Sequence, residues 1–186
     1  MRIMSLDAEY TKPGNKTIQI GAAAYHLPTG ELLGTFETYV DPKEDVSDYI
    51  TKLTGIKTSD VSGASTVREA YEDLCMFHKK HKCFKNPLVW GAGALNDSQH
   101  LYKEAYPVPN SELQPENFMG YRVLDVKSIY QSIQIFYNKT VSGSLEDVCK
   151  HLGIGFEGEP HRALTDAKNA FRVWFYLMKK FPGGFK

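Results

Sequence analysis

The stretch EPHRALTDAK, residues 159–168, decides how this chain is interpreted. It follows a turn rich in glycine and proline, and its second half fits the start of a helix. His161 stands five residues before Asp166, and no other histidine of the chain has an aspartate at that spacing. If the helix begins near Arg162, Asp166 lies in its second turn and His161 precedes it, so both side chains can face one site. The residues alone also allow a helix-start histidine and a surface aspartate.

Asp7-Ala8-Glu9 is the only D-x-E in the chain, and it lies on a strand predicted over residues 2–10. On a strand, residues i and i+2 point to the same face about 7 Å apart. Two carboxylates placed in this way repel each other unless a cation lies between them. Their oxygen atoms suit Mg²⁺ or Mn²⁺ better than zinc. Taken alone, the pair also fits a solvated strand face.

Two further aspartates follow predicted strands and open predicted helices. Asp97 comes after the strand 88–90 and a glycine-rich bend, which places it near the carboxyl edge of the sheet. Ligand sites of open α/β sheets gather at that edge. Its alternative role is that of a helix N-cap. Capping suits Asp125 better, because no glycine-rich segment clears space beside it.

The order of the predicted elements indicates one α/β domain over residues 1–186. Strands at 2–10, 18–27 and 32–40 are joined by short connections, which predicts an antiparallel meander. Alternating helices and strands then follow, so we expect a mixed sheet with helices on both sides. The later predicted elements are a helical turn at 49–53, helices beginning at 66, 96, 125, 144 and 162, and strands at 88–90 and 123–124. Residues 66–69 have the form of a capping box, and residues 107–120 are expected to form a surface loop or lid. The helix from 96 is expected to end near Ala105, and the last helix near Phe181.

Composition and charge are those of a soluble globular protein. Of the 186 residues, 42% are hydrophobic and 24% are charged, and 22 basic residues balance 22 acidic ones. This balance argues against a broad basic face for coating long nucleic acid, although it allows a local basic groove. The basic tract 78–82 is expected to be a solvated helix end rather than a nucleic-acid patch.

The three cysteines do not have the spacing of metal ligands, and the sequence shows no leader pattern. It also contains no apolar run of the roughly 20 residues that a membrane helix needs. We therefore expect a cytoplasmic protein outside the membrane.

Together the three motifs resemble those of the DEDDh 3′–5′ exonucleases, the DnaQ-like branch of the ribonuclease H-like superfamily. The histidine version of the family is indicated rather than the tyrosine version, because Arg162 stands four residues before Asp166. The family's first, second and third motifs are matched in this order by Asp7 with Glu9, by Asp97, and by His161 with Asp166.

Other segments also resemble the family, and two positions depart from it. The similar segments include IQIG at 18–21, YVDP at 39–42 and TGI at 54–56. The departures are Tyr10, where a threonine followed by glycine is common, and Asn96, where an aromatic residue usually precedes the aspartate.

The resemblance implies a ribonuclease H-like fold and a metal-dependent exonuclease. It implies two Mg²⁺ or Mn²⁺ ions and a nucleoside 5′-monophosphate as product. His161 is then the general base, and Tyr10 and Thr11 are candidates for contacting the terminal nucleotide. Because Tyr10 falls on the strand face opposite the acids, a core position is equally open for it. The implied metal ligands are Asp7, Glu9, Asp97 and Asp166.

The motifs do not decide whether the substrate is DNA or RNA, because a protein distinguishes the two only through a residue that contacts the 2′-hydroxyl. We expect the 3′ end of single-stranded DNA or RNA as the substrate, and a stand-alone enzyme or a separate subunit beside a polymerase or another nucleic-acid-processing partner. An RNA-specific trimming exoribonuclease is one alternative. A catalytically silent nucleic-acid-binding module on the same fold is the alternative from another class.

Overall fold

The computed structural model describes residues 1–12, 14–91, 96–108, 115–139 and 143–180. Within these ranges three strands come first, and the helices and strands that follow them occur in the predicted order, with one additional short helix. In chain order the elements are β1 (Arg2–Tyr10), β2 (Thr17–His26), β3 (Glu31–Tyr39), α1 (Asp48–Thr54), α2 (Thr58–Val61), α3 (Val67–His81), β4 (Leu88–Val89), α4 (Asp97–Ala105), β5 (Leu124–Asp125), α5 (Val126–Phe136), α6 (Leu145–His151) and α7 (Ala163–Lys180).

The sheet has five strands in the order β3-β2-β1-β4-β5. β1 pairs antiparallel with β2, and β2 pairs antiparallel with β3. β4 runs parallel to β1, and β5 runs parallel to β4. The predicted meander followed by parallel strands is therefore confirmed, with β2 and β3 beginning and ending one residue earlier than predicted.

Helices cover both faces of this sheet, because side chains of β1 alternate between two apolar cores. Ile3 packs into a core that includes residues of α5, α6 and α7. Met4, Leu6 and Ala8 pack into a second core with residues of α3 and α4. β2 is buried along nearly its whole length, since it lies between two strands and under both layers. β1, which carries the D-x-E motif, is therefore held between β2 and β4 and packed on both faces.

Side-chain caps begin several helices where the sequence predicts them. Thr66 and Glu69 form the predicted capping box of α3. Asp125 caps α5 by accepting from the N–H groups of Lys127 and Ser128, and Ser144 caps α6. The short helix α2 was not predicted.

The remaining predictions concern loops, ends and surface. The basic tract lies at the end of α3, where the His81 carbonyl accepts from Arg2 Nη1 at 3.2 Å. Arg2 begins β1, so the tract is at the opposite end of this strand from Asp7 and Glu9. In the described part of the chain, no helix has the length and apolar character to cross a membrane. Part of the glycine-rich bend, part of the loop 107–120 and Phe181 lie outside the described residues.

The N-terminus of α7 rests directly on β2 at Gly21. A Cβ atom at Gly21 would lie 2.0 Å from the Leu164 nitrogen and 2.2 Å from the Ala163 carbonyl carbon. Only glycine allows a helix backbone to approach a strand so closely. Gln19 lies two residues before Gly21 on the same face of β2. Its Oε1 accepts from the Ala163 N–H at 3.1 Å and so caps the start of α7. The position of α7 is therefore determined by β2.

We expect Gly21→Ala to displace α7 and to destabilise the protein by about 1–3 kcal/mol, the usual range for overpacking. The atoms that the new methyl group meets belong to the backbone, so no side-chain rotation relieves the overlap. Chemical denaturation measures the loss. Gly143→Ala is the matched control, because a Cβ atom there meets nothing within 4 Å. A free energy of unfolding for Gly21→Ala equal to that of Gly143→Ala would contradict the close contact.

Candidate active site

Asp7 and Glu9 lie at the carboxyl end of β1 and point to the face that α7 covers. Their partners on β2 are Gly21 for Asp7 and Gln19 for Glu9. The same two residues contact the N-terminus of α7. The contact between β2 and α7 therefore brings the segment that begins α7 beside the first motif.

His161 and Asp166 are joined by a hydrogen bond across the start of α7. The backbone N–H of His161 donates to Asp166 Oδ2 at 3.1 Å, and the N–H of Asp166 donates to the carbonyl of Arg162 at 2.9 Å. His161 has a φ of 59°, in the left-handed region that non-glycine residues seldom adopt. Its backbone is thus used to hold Asp166, while its imidazole is exposed.

Glu9, His161 and Asp166 form one cluster. One side-chain oxygen or ring nitrogen from each of the three lies within 4.8 Å of the other two. Asp7 belongs to the same cluster, because its carboxylate interacts electrostatically with those of Asp97, Glu9 and Asp166. The structure therefore brings together all five residues that the three motifs nominate.

Asp97 reaches the cluster from α4. Asn96 is the N-cap of this helix, and its side chain accepts from the Gln99 N–H at 3.1 Å. Asp97 is consequently the first residue of the helix, and its alternative role as N-cap is wrong. The hydroxyl of Tyr10 donates to Asp97 Oδ1 at 2.8 Å. Asn96, one of the two departures from the family pattern, thus frees the aspartate for the site.

Thr11 has a different environment from the one expected of a nucleotide-binding residue. Its side chain is buried, and its hydroxyl donates to Glu44 and accepts from the Lys16 N–H. This burial argues against the predicted contact of Thr11 with a terminal nucleotide.

Burial raises the pKa values of all four carboxyl groups, and neighbouring carboxylates add to the rise for Asp7 and Glu9. Burial, followed by Asp97, Glu9 and Asp166, raises the pKa of Asp7 well above its usual range. Burial together with Asp166 and Asp97 raises the pKa of Glu9 to about 8, against the opposing effect of Arg162. Burial also raises the pKa values of Asp97 and Asp166 to about 6. Four anions in this arrangement need a positive charge between them.

The donor set fits a hard divalent cation. Asp166 Oδ1 is buried and has no hydrogen-bond partner among the described residues. No described residue donates a hydrogen bond to the carboxylates of Asp7 or Glu9 either. Carboxylate oxygens left without donors are the ligands that Mg²⁺ and Mn²⁺ prefer.

A polar cavity of about 520 Å³ adjoins the cluster at the N-terminus of α7. Arg162 connects the two, since its guanidinium acts on Glu9 and its Nη1 lies 3.5 Å from the Tyr39 hydroxyl. The cavity therefore offers space and a positive charge beside the carboxylates. Its lining residues are Gln19, Glu37, Thr38, Tyr39, Glu159, Arg162 and Thr165.

Two of the residues that build the site have recognisable signals in the sequence. Gln19 is the polar residue within the otherwise apolar run 18–24 of β2, and a buried amide needs hydrogen-bond partners. Gly21 interrupts the same strand, which indicates a close backbone approach. The position of Arg162 beside Glu9 has no such signal, because it depends on where α7 meets the sheet.

The sequence model of the RNase T exonucleases, described as "Exonuclease", matches residues 4–174. The chain belongs to this exonuclease family. It is 24% identical to the 3′–5′ exonuclease eri1 of Schizosaccharomyces pombe over 86% of this chain and 59% of that protein. It is 27% identical to the PolC-type DNA polymerase III of Clostridium perfringens, over 92% of this chain and 10% of the polymerase. The chain thus spans about half, or much less, of the length of these relatives.

The fold is also that of solved exonucleases. The nuclease domain of 3′hExo, a DEDDh family member whose structure was solved with rAMP bound, superposes with a TM-score of 0.77 at 22% identity. The superposition covers 97% of this chain and 92% of that domain. The resemblance to the DEDDh exonucleases and the ribonuclease H-like fold class are therefore confirmed.

We expect Asp7→Asn to stabilise the metal-free protein at about pH 8. Folding raises the pKa values of Asp7 and Glu9, so the ionised cluster costs stability above the folded pKa of Glu9, about 8. That cost disappears as the pH falls toward the unfolded values near 4. The gain should shrink as the pH falls and vanish near pH 4. Thermal unfolding in EDTA measures it.

Asp41→Asn is the control of opposite sign. Hydrogen bonds from Lys43 and from the N–H of Gly63 lower the pKa of Asp41 to about 2. Its charge therefore favours the folded state at about pH 8, and the variant should lose stability there. The repulsion in the cluster is disproved if Asp7→Asn lowers the unfolding temperature as Asp41→Asn does. Added Mn²⁺ should raise the unfolding temperature of the wild type more than that of Asp7→Asn.

Proposed function

We propose that this chain is a metal-dependent 3′–5′ exonuclease that shortens single-stranded nucleic acid and releases nucleoside 5′-monophosphates. The convergence of four carboxylates with one exposed histidine, from three separate segments, carries this proposal. Family membership supports it, as does the name of the yeast relative, a 3′–5′ exonuclease.

Asp7, Glu9, Asp97 and Asp166 would hold two Mg²⁺ or Mn²⁺ ions, and the interaction of the Asp7 carboxylate with the other three supports a shared site. Such a site would supply a lowered pKa for a bound water molecule and positive charge beside the phosphate and the leaving oxygen.

His161 would take the proton of the attacking water on a ring nitrogen. The water oxygen forms a bond to the terminal phosphorus, and the bond from phosphorus to the 3′-oxygen of the preceding nucleotide breaks. That 3′-oxygen takes a proton from solvent as it leaves, so the shortened strand ends in a 3′-hydroxyl, and His161 returns its proton to solvent. Histidine suits the task because imidazole exchanges protons near neutral pH. Exposure of the ring beside Glu9 and Asp166 supports this role.

A trimming exoribonuclease is the more specific candidate within this activity. The structure of the 3′hExo nuclease domain with bound rAMP favours it. The match to part of a DNA polymerase favours DNA instead, and also leaves a polymerase as a candidate partner. For the cell compartment we propose the cytoplasm, supported by three free cysteines.

We expect His161→Ala to lower turnover by about 10²–10⁴-fold, the usual contribution of a general base, and to leave metal affinity unchanged. Asp7→Ala should lose both. His161→Asn is the conformational control, since asparagine tolerates the left-handed backbone that alanine does not, and it should be as inactive as His161→Ala. His26→Ala, at the end of β2, should retain full activity.

A 5′-labelled single-stranded oligonucleotide with Mn²⁺ measures turnover as a ladder of products, and calorimetry measures metal affinity. Binding of the oligonucleotide without shortening by the wild type would favour the catalytically silent module. Loss of metal affinity in both His161 variants would show that the imidazole is a ligand, because its nitrogen lies within reach of the same ion as Glu9 and Asp166.

We expect RNA to be shortened faster than DNA of the same sequence. The comparison uses identical 5′-labelled strands at equal Mn²⁺. A faster rate on DNA, or equal rates on both, would contradict the exoribonuclease candidate and leave the broader exonuclease proposal intact.

A further inference from the structure

Tyr10 follows the D-x-E motif and belongs to the opposite face of β1. Its ring packs with the second core, between β1 and α4. From there its hydroxyl reaches the edge of the sheet and donates to Asp97 Oδ1 at 2.8 Å. Tyr10 therefore approaches the carboxylate cluster from the side that α7 does not cover.

A row of polar side chains on α4 fixes the helix against Tyr10. Asp97, His100 and Glu104 lie three and four residues apart, so they share one face of the helix. The ring of His100 contacts the ring of Tyr10 edge to face, with centroids 4.8 Å apart and planes at 82°. His100 also lies 3.0 Å from the carbonyl oxygen of Asn15 and 3.5 Å from Glu104.

Glu104 completes the attachment at the start of β2. It accepts from the Thr17 hydroxyl at 2.6 Å and from the Thr17 N–H at 3.2 Å. The row therefore ties α4 to both ends of the connection between β1 and β2. Tyr10 is the member of this arrangement that touches Asp97.

The orientation of Asp97 depends on these side-chain contacts, because the strand that precedes it is short and has few pairings in the sheet. β4, the strand that precedes α4, has two residues and meets β1 through one pair, Ser5 with Leu88. Asp7 and Glu9, by contrast, lie within a nine-residue strand paired along its length with β2. The carboxylate of Asp97 is thus oriented by α4 and by side-chain contacts, among which the Tyr10 bond is the direct one.

We propose that Tyr10 is a positioning residue that orients the Asp97 carboxylate for metal binding, which rests on the proposed role of Asp97 as a metal ligand. With Oδ1 held by the phenol, the plane of the carboxylate is restricted and Oδ2 is left for a metal ion. This replaces the contact with a terminal nucleotide as the role of Tyr10, because its hydroxyl is already engaged by Asp97.

Tyr10→Phe tests this role, since it removes the hydroxyl and keeps the ring against His100. Calorimetry with Mn²⁺ should show an affinity about 10-fold to 100-fold weaker, the usual effect of losing a partner of a metal ligand. Turnover at low Mn²⁺ should fall, and high Mn²⁺ should restore most of it. The KM for the oligonucleotide should not change at saturating Mn²⁺.

Tyr71→Phe is the matched control. Tyr71 is buried, and its hydroxyl donates to Asn117 Oδ1 at 2.9 Å, within the same core but without contact to the carboxylates. Its metal affinity should equal that of the wild type. In an Asp97→Asn background, Tyr10→Phe should cause no further loss, because the two residues act through one bond.

An unchanged Mn²⁺ affinity in Tyr10→Phe overturns the inference, as does an equal loss in Tyr71→Phe. A higher KM with unchanged metal dependence also overturns it, and assigns Tyr10 to the nucleotide instead. Failure of the wild type to bind Mn²⁺ is a separate result, which rejects the metal site of the proposed function itself.

Discussion

The contact between Gly21 and the backbone at the start of α7 is the constraint on which the site depends. Gly21 pairs with Asp7, and Gln19 pairs with Glu9 while it caps α7 through the Ala163 N–H. The same two β2 residues pair with the D-x-E motif and contact the N-terminus of α7. The close approach of the α7 backbone to Gly21 therefore sets the distance between the first and third motifs. Side-chain packing alone would allow more variation, since side chains adjust their rotamers.

The site is assembled at a cost to stability that the surrounding structure offsets. Burial raises the pKa values of all four carboxyl groups, repulsion from neighbouring carboxylates raises those of Asp7 and Glu9 further, and His161 occupies a strained backbone conformation. Such features persist only where neighbouring structure determines them, and they concentrate at functional sites. Here the neighbouring structure is a sheet with apolar cores on both faces. A divalent cation would convert the repulsion among the carboxylates into binding energy.

The sequence predicts those parts of the fold that follow local rules. The alternation in residues 2–10 predicted β1 and its two faces because side chains on a strand alternate by geometry. The capping box at Thr66 and the helix from Asp97 to Ala105 were predicted because caps and apolar spacing act within a few residues. The family resemblance nominated the five residues that the structure brings together. The cap that Gln19 provides to α7 was missed, since it joins segments 144 residues apart in the chain.

The two departures from the family pattern show why a motif alone gives an incomplete account of a site. Asn96 and Tyr10 stand where other residues are common, and both act on Asp97. Asn96 is the N-cap of α4, so the Asp97 carboxylate is not used to cap the helix. Tyr10 then supplies the donor that orients it. Asp7 and Glu9 need no such help, because a long paired strand fixes them. A ligand that begins a helix after a two-residue strand has fewer backbone constraints, and side chains must provide the orientation that the sheet does not.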